Sequence, residues 1–463
     1  MAKFLFIKCG NMTRMNYGVT TPLGVMYLAS VVRKKGHLAK VLDMRFESQR
    51  AKLDITMREF SPDVIGLSAI TIEADAMHGI AAEIKKTSPR VVIIAGGPHP
   101  TSYPREVLSD KNIDLVCLGE GEGAVEDISV HLDKQVENIP GIAFRRNGEI
   151  ILNPIRPYPD NLDEISFPAW DLIDIEGYSR VSSMSAIGFR RYMGLFTSRG
   201  CPYRCIYCHN IFGKTFRSRT PQNVIAEMES LVRNYGIREF EIYDDIFNLD
   251  KNRAEKIFDY IIEKNLNVNI SFPNGLRSDL LDRPFIEKMK KAGVNYVSIA
   301  VETASEGIQK LVKKNLNLDK VEEIIKICTK LRIFTRGFFM LGFPTETEEG
   351  IKRTIKFALR SRLHTAGFYI VTPFKGTELF RFIGKNTTTA VPFRDHDYFT
   401  GYFNLSEVLS KKLFLYQWIA IIIFYLHPKR LFLILRDFPN KKFLLYYAFK
   451  TITGFFKVMR RGN

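Results

Sequence analysis

An α/β protein built as two successive alternating units follows from three features of the sequence. Short apolar runs alternate with amphipathic segments from residue 3 to about 135, the same rhythm resumes from about 193 to 375, and a Pro-rich irregular stretch separates the two. The boundaries read as 1–140 for a first sheet domain, 141–190 for a hairpin and linker, 191–384 for a second strand-helix domain, and 385–463 for a helical C-terminal region. At 463 residues the chain exceeds one ordinary core.

In the first unit the strands are Phe4 to Cys9, Ala39 to Met44, Val64 to Ala69, Val91 to Ala95 and Leu115 to Leu118. Five strands with helices between them predict a Rossmann-like, doubly wound parallel sheet. Ligands of such sheets sit beyond the carboxyl ends of the strands. There lie Ser68 and Thr71, then Gly96-Gly97-Pro98-His99-Pro100 and Gly119-Glu120-Gly121-Glu122. His99 reads equally well as pocket lining or as a structural turn residue. Asn147-Gly148 predicts a hairpin of Ile142 to Arg145 with Ile150 to Asn153, and Pro154 to Pro168 is the linker.

The second unit has strands at Leu195 to Ser198, Phe240 to Tyr243, Val268 to Phe272, Tyr296 to Val301, Phe338 to Leu341 and Phe368 to Val371. Six units fall short of the eight of a closed barrel, so a partial (β/α)6 barrel is expected, with its site at the strand carboxyl ends.

Six cysteines, three of them within eight residues, do not form a disulfide framework and suit a reducing compartment. The triplet is Cys201, Cys205 and Cys208, in Cys-Pro-Tyr-Arg-Cys-Ile-Tyr-Cys after the first barrel strand. A structural zinc site wants a fourth ligand, and His209, adjacent to Cys208, is awkwardly placed to supply it. Three thiolates suit a 4Fe-4S cluster with one iron left open.

Here the sequence resembles the radical S-adenosylmethionine superfamily, whose CxxxCxxC motif it carries. The resemblance implies a 4Fe-4S cluster on the three cysteines and reductive cleavage of S-adenosylmethionine to a 5'-deoxyadenosyl radical. It implies that Tyr207 contacts adenine, that Asp244 or Asp245 accepts from the methionine amine, and that Asn274 and Arg277 hold the ribose and carboxylate. Glu302 is similar to the acid of the fourth-strand motif. Leu341-Gly342-Phe343-Pro344 and Thr372-Pro373-Phe374-Lys375-Gly376-Thr377 resemble the next two turns.

The first unit resembles the cobalamin-binding domain of the corrinoid-dependent branch, which includes radical methyltransferases and the anaerobic magnesium-protoporphyrin cyclase. Cobalamin is therefore expected at Ser68, Thr71, Gly96, Gly97, His99, Gly119, Glu120 and Gly121. None of the eight histidines follows an Asp by two residues, so a cobalt-ligating Asp-x-His-x-x-Gly motif is absent. A domain of this shape that binds no cofactor is the alternative.

Lys and Arg exceed Asp and Glu by 17 charges, and residues 411–463 hold eleven of the bases against only Asp437. Leu413 to Leu426, Leu431 to Leu435 and Phe443 to Met459 interleave those bases with apolar runs. The first run, at about 14 residues, is short of a bilayer span. Two readings stand, a helix lying in a membrane interface or a cap on the barrel. Nucleic acid is disfavoured by the apolar neighbours.

Together these features lead to an enzyme acting by C-methylation or by oxidation and ring formation. A hydrophobic or lipid-like substrate, an electron donor such as flavodoxin or ferredoxin, and a cytoplasmic location with peripheral membrane contact are expected. A non-catalytic corrinoid carrier is the other reading.

Overall fold

The computed structural model describes residues 1–10, 18–130, 136–185, 187–384, 393 and 403–446. The predicted run Phe443 to Met459 lies outside the described residues beyond 446.

Among the described residues the first sheet has seven strands: β1 (Lys3–Lys8), β2 (Leu38–Asp43), β3 (Val64–Ser68), β4 (Val92–Gly96), β5 (Leu115–Cys117), β6 (Ile142–Arg146) and β7 (Glu149–Leu152), in the order β2-β1-β3-β4-β5-β6-β7. The first five are parallel, and β1 is buried on both faces, as helices on each side of a parallel sheet require. The predicted hairpin is present as β6 and β7, and it joins the sheet: β6 pairs antiparallel with β5. A free parallel edge exposes unpaired backbone groups, and the hairpin satisfies them.

The second sheet is formed by β8 (Tyr192–Leu195), β11 (Glu239–Ile242), β12 (Asn269–Leu276), β13 (Val294–Glu302), β14 (Phe334–Leu341) and β15 (Thr365–Ile370). All pairs are parallel and neighbours follow chain order, with β8 and β15 as the outermost strands among the described residues: a partial (β/α)6 barrel. A separate ribbon joins β9 (Ser198–Arg199) to β10 (Arg217–Ser218) around the cysteine run.

The first barrel strand is thus Tyr192–Leu195, earlier than the predicted Leu195 to Ser198. Gly194 disguised it, because a side chain there is excluded: a Cβ would fall 2.0 Å from the Tyr243 ring.

Barrel helices start where the sequence supplies caps. Thr220 Oγ1 accepts from Asn223 N before Pro221–Tyr235, and Gly236 closes that helix at φ +63°. Asp250, Asp282, Asn317 and Thr347 cap four later helices in the same way.

The C-terminal helices Ser410–Leu426 and Pro428–Asp437 cap the barrel. Leu413, Gln417, Ala420 and Phe424 are buried, at positions that share one helix face. Side chains of this helix satisfy the free edge of β15: Gln417 Nε2 donates to Phe368 O at 2.9 Å, and Tyr425 Oη donates to Ala366 O at 3.0 Å. The opposite face carries exposed Leu415, Ile422, Ile423 and Leu426. Among the described residues no single helix is long and apolar enough to cross a membrane.

Candidate functional site

The cysteine run leaves β9 through Gly200, whose φ of +83° and whose Cβ direction, 2.2 Å from Thr215 O, admit only glycine. Backbone bonds then pin the loop to the barrel: Ile206 N donates to Val312 O at 3.2 Å and Leu379 N to Ile206 O at 2.8 Å. Cys205 is buried, Cys201 half-buried and Cys208 exposed.

The Cys205 thiol is drawn down to about 6, because the Cys208 thiol donates to it and Lys314 and Arg277 lie nearby. Cys208, holding that proton, is pushed up. One readily ionised thiol beside two others is a donor set that fits an iron-sulfur cluster. Among the described residues no group of three His, Cys, Asp or Glu side chains converges on a single ion. The other three thiols are inert through burial. Cys117 and Cys328 are pushed up to about 12, and Cys9 is raised further.

Around the loop stand most of the residues singled out from sequence. Arg277 lies 3.7 Å over the Tyr203 ring, pairs with Asp279 at 3.0 Å and donates to Lys314 O at 3.1 Å. Glu302, at φ +66°, is buried, and Lys314 Nζ is 3.7 Å away. Burial raises the Glu302 carboxyl. The Tyr207 hydroxyl is buried close to both Glu302 and Cys205.

The two neighbouring aspartates differ sharply. Asp244 is turned inward, where Thr197 N, Thr197 Oγ1 and Ser198 Oγ donate to it at 2.6, 2.5 and 2.6 Å. Its carboxylate therefore braces the strand leading to the cysteines. Asp245 lines the open cavity and accepts from Gly200 N at 3.3 Å.

That cavity, about 390 Å³, lies between the two sheets. Ser68, Gly96, Gly97, Gly119, Glu120 and Gly121 line it from the first unit; His209, Ile211, Phe212, Asp245 and Asn274 line it from the second. Gly97 has φ +93°, and a Cβ there would lie 3.1 Å from both Ala69 O and Ser68 Oγ. Such bare backbone over apolar walls fits a flat macrocycle.

Thr71 and His99 are not among the lining residues. Thr71 opens a short 3-10 turn, and His99, in the short helix Pro98–Ser102, is buried with its ring 4.9 Å from Tyr103. Glu120 does line the cavity, but its carboxylate is engaged: Arg199 Nη1 is 2.7 Å from it, and Arg217 also pairs with it. Arg199 reaches Glu122 at 2.7 Å as well. Sequence reading missed Arg199, Arg217, Thr197 and Lys314. Their partners are 77 or more residues distant for the arginines, so local pattern carries no signal of them.

Comparison with known proteins follows the same division. Residues 195–358 match the Radical SAM superfamily and residues 14–129 match the B12 binding domain. The chain is 32% identical over 418 residues to the uncharacterized methyltransferase PH0819 of Pyrococcus horikoshii, covering 88% of each chain. It is 25% identical over 377 residues to the anaerobic magnesium-protoporphyrin IX monomethyl ester cyclase of Rubrivivax gelatinosus, covering 78% of this chain and 66% of that one. Its fold is that of the radical S-adenosylmethionine methyltransferase TsrM of Kitasatospora setae, solved with cobalamin and a 4Fe-4S cluster. The TM-score is 0.67 at 18% identity, covering 82% of this chain and 74% of that one.

Proposed function

Because the chain belongs to the cobalamin-dependent radical S-adenosylmethionine enzymes, whose cofactors are a 4Fe-4S cluster, S-adenosylmethionine and cobalamin, we propose that it is a C-methyltransferase of an apolar substrate. The observation that carries this reading is the cavity itself, walled by glycine turns on one side and by the cysteine loop and barrel strand ends on the other.

In this reading Cys201, Cys205 and Cys208 hold the cluster, and Ser68, Gly96, Gly97, Gly119 and Gly121 let backbone approach the corrin. When bound, these cofactors supply reductive cleavage of S-adenosylmethionine and one-carbon transfer. The remaining work belongs to the chain. Asp245 accepts from the methionine amine, Arg277 offers its guanidinium to the carboxylate, and Asn274 contacts the ribose. Asp244 holds the cysteine loop rather than ligand. Glu302 and Tyr207 stand beside Cys205 and Lys314, next to the cysteine loop.

Such an enzyme draws electrons from a small carrier of the flavodoxin or ferredoxin kind. We place it at the cytoplasmic face of a membrane. The exposed apolar face at Leu415, Ile422 and Leu426, flanked by Lys411, Lys429 and Lys441, supports that placement.

Anaerobic reconstitution with iron, sulfide and cobalamin tests the function. Wild-type protein should show iron-sulfur absorption and cleave S-adenosylmethionine under strong reductant, and Cys205→Ala should lose both while keeping its corrin. Cleavage that survives in Cys205→Ala overturns the reading. A product heavier by one methylene unit supports methyl transfer; an oxidised or ring-closed product of unchanged carbon count rejects it.

A further inference from the structure

We propose that Arg336, inside the open barrel, anchors an oxyanion of the substrate, a carboxylate or a phosphoryl group. The proposal rests on the reading of an apolar substrate and adds the polar end by which it is held.

Three neighbouring strands establish the place. Along β15 exposure alternates residue by residue: Ala366, Phe368 and Ile370 are buried, while Thr365, Gly367 and Tyr369 keep some accessible surface. The buried set lies under the C-terminal helix, where the Phe368 ring is 6.1 Å from Phe424. The accessible set therefore faces the concave side of the barrel. On β14 the same alternation leaves Arg336 and Phe338 accessible, and β13 leaves Ala300. Register pairs Ala300 with Phe338, and Phe338 with Gly367, so these residues share one surface. Beside Arg336 in register, Ser298 and Tyr296 are buried, so the accessible surface on this side begins at Arg336 and Tyr369 and continues through Phe338 to Ala300.

Arg336 is the charge on that surface. Its Nη2 donates to the Tyr369 hydroxyl at 3.0 Å, its guanidinium lies 5.4 Å from the Phe338 ring, and the Tyr296 hydroxyl is beside it. Tyrosines are its neighbours where other barrel cations have acids. Arg190 pairs with Glu239 at 3.0 Å and with Glu241, and Lys314 is 3.7 Å from Glu302. Among the described residues Arg336 forms no ion pair. A guanidinium withdrawn from water without a counter-ion is costly, and such cost persists where a ligand supplies the missing charge. Its planar N–H fork matches carboxylate and phosphoryl oxygens.

The position also sets a length. Arg336 lies three residues before Phe339, the register partner of Glu302, and at ~3.3 Å per residue the separation is about 10 Å. A molecule held at Arg336 by its anionic end presents carbon about that far away at the level of Glu302, beside the cysteine loop. Phe338 and Ala300 form apolar wall between them.

Calorimetric titration of the cobalamin-loaded full chain with decanoate, decyl phosphate and decanol tests the anchor. Both anions should bind wild type and bind Arg336→Gln at least tenfold more weakly, with decanol alike in the two proteins. Arg336→Lys should recover part of the anion affinity, which also guards against a glutamine variant that misfolds. Equal anion binding in wild type and Arg336→Gln, or parallel loss of decanol, overturns the proposal. Anion binding that depends on Arg336 while decanol binds to neither protein keeps the anchor and refutes the apolar substrate instead.

Discussion

Arg199 Nη1 lies 2.7 Å from Glu120 Oε2, both side chains being buried, so a residue two places before the cysteine run is tied to a cavity loop of the first sheet. With Glu122 and Arg217 the pair forms a four-membered network across the two units. Removing one partner of a buried pair strands the other charge. Arg199→Met should cost about 3 kcal/mol in denaturant unfolding. It should also weaken cobalamin retention on gel filtration more than it lowers iron content. A variant of wild-type stability and corrin content would deny the network this role.

Asp244 and Asp245 should separate cleanly. Asp244→Asn turns an acceptor of three donors into a group that must donate one pair of hydrogens into the Thr197 and Ser198 site. The expected result is a cysteine loop that no longer holds a full iron complement by iron assay. Asp245→Asn should retain iron and bind S-adenosylmethionine about tenfold more weakly, the loss of one charge-assisted hydrogen bond. Reversed phenotypes would reassign the two carboxylates.

Glu346, fully buried, is pushed up to about 7 by desolvation, against donation from Gly342 N at 2.7 Å and Phe343 N at 3.2 Å. An acid raised by folding stabilises the fold in its protonated form. Its contribution is complete below the free-carboxyl value near 4.5 and is lost as pH rises to about 7. The loss is on the order of 3 kcal/mol. Glu346→Gln keeps an acceptor for both amides, so its unfolding free energy should stay flatter over that window and exceed wild type at pH 8. Parallel curves for the two proteins would exclude the titration.

The C-terminal helix should behave as two faces. Leu413→Ala empties a fully buried site against Gly342 and should cost about 2–5 kcal/mol. Ile422→Glu with Leu426→Glu changes exposed positions, and each should move stability by less than about 0.5 kcal/mol. The same double variant should lose sedimentation with anionic phosphatidylserine vesicles. Undiminished sedimentation would remove the membrane from the account.

Much of this protein could be read along the chain because its elements are local. Apolar runs and caps such as Thr220 and Asp250 announce strands and helices within a few residues of themselves. The cysteine triplet stands out by its spacing, and its chemistry follows from the resemblance that this spacing carries. Strand β8 escaped because Gly194 leaves its pattern incomplete; the hairpin was legible from Asn147-Gly148, but its pairing with β5 was not, because that is not a local property. Thr71 looked like a pocket residue for its place after a strand, and His99 read equally as pocket lining or structural residue; only packing set His99 against Tyr103 and left Thr71 off the cavity wall.

By itself the sequence determined the two alternating units, the three-thiol loop after the first barrel strand and the glycine turns facing it. Each of these depends on periodicity, spacing or backbone freedom within one short segment. Tertiary structure decided which charges are spent and which are open. Asp244 is closed by Thr197 and Ser198, and Glu120 by Arg199 and Arg217, whereas Asp245 and Arg336 keep access to space. That distinction depends on partners brought together from distant strands, and no single stretch of chain contains it.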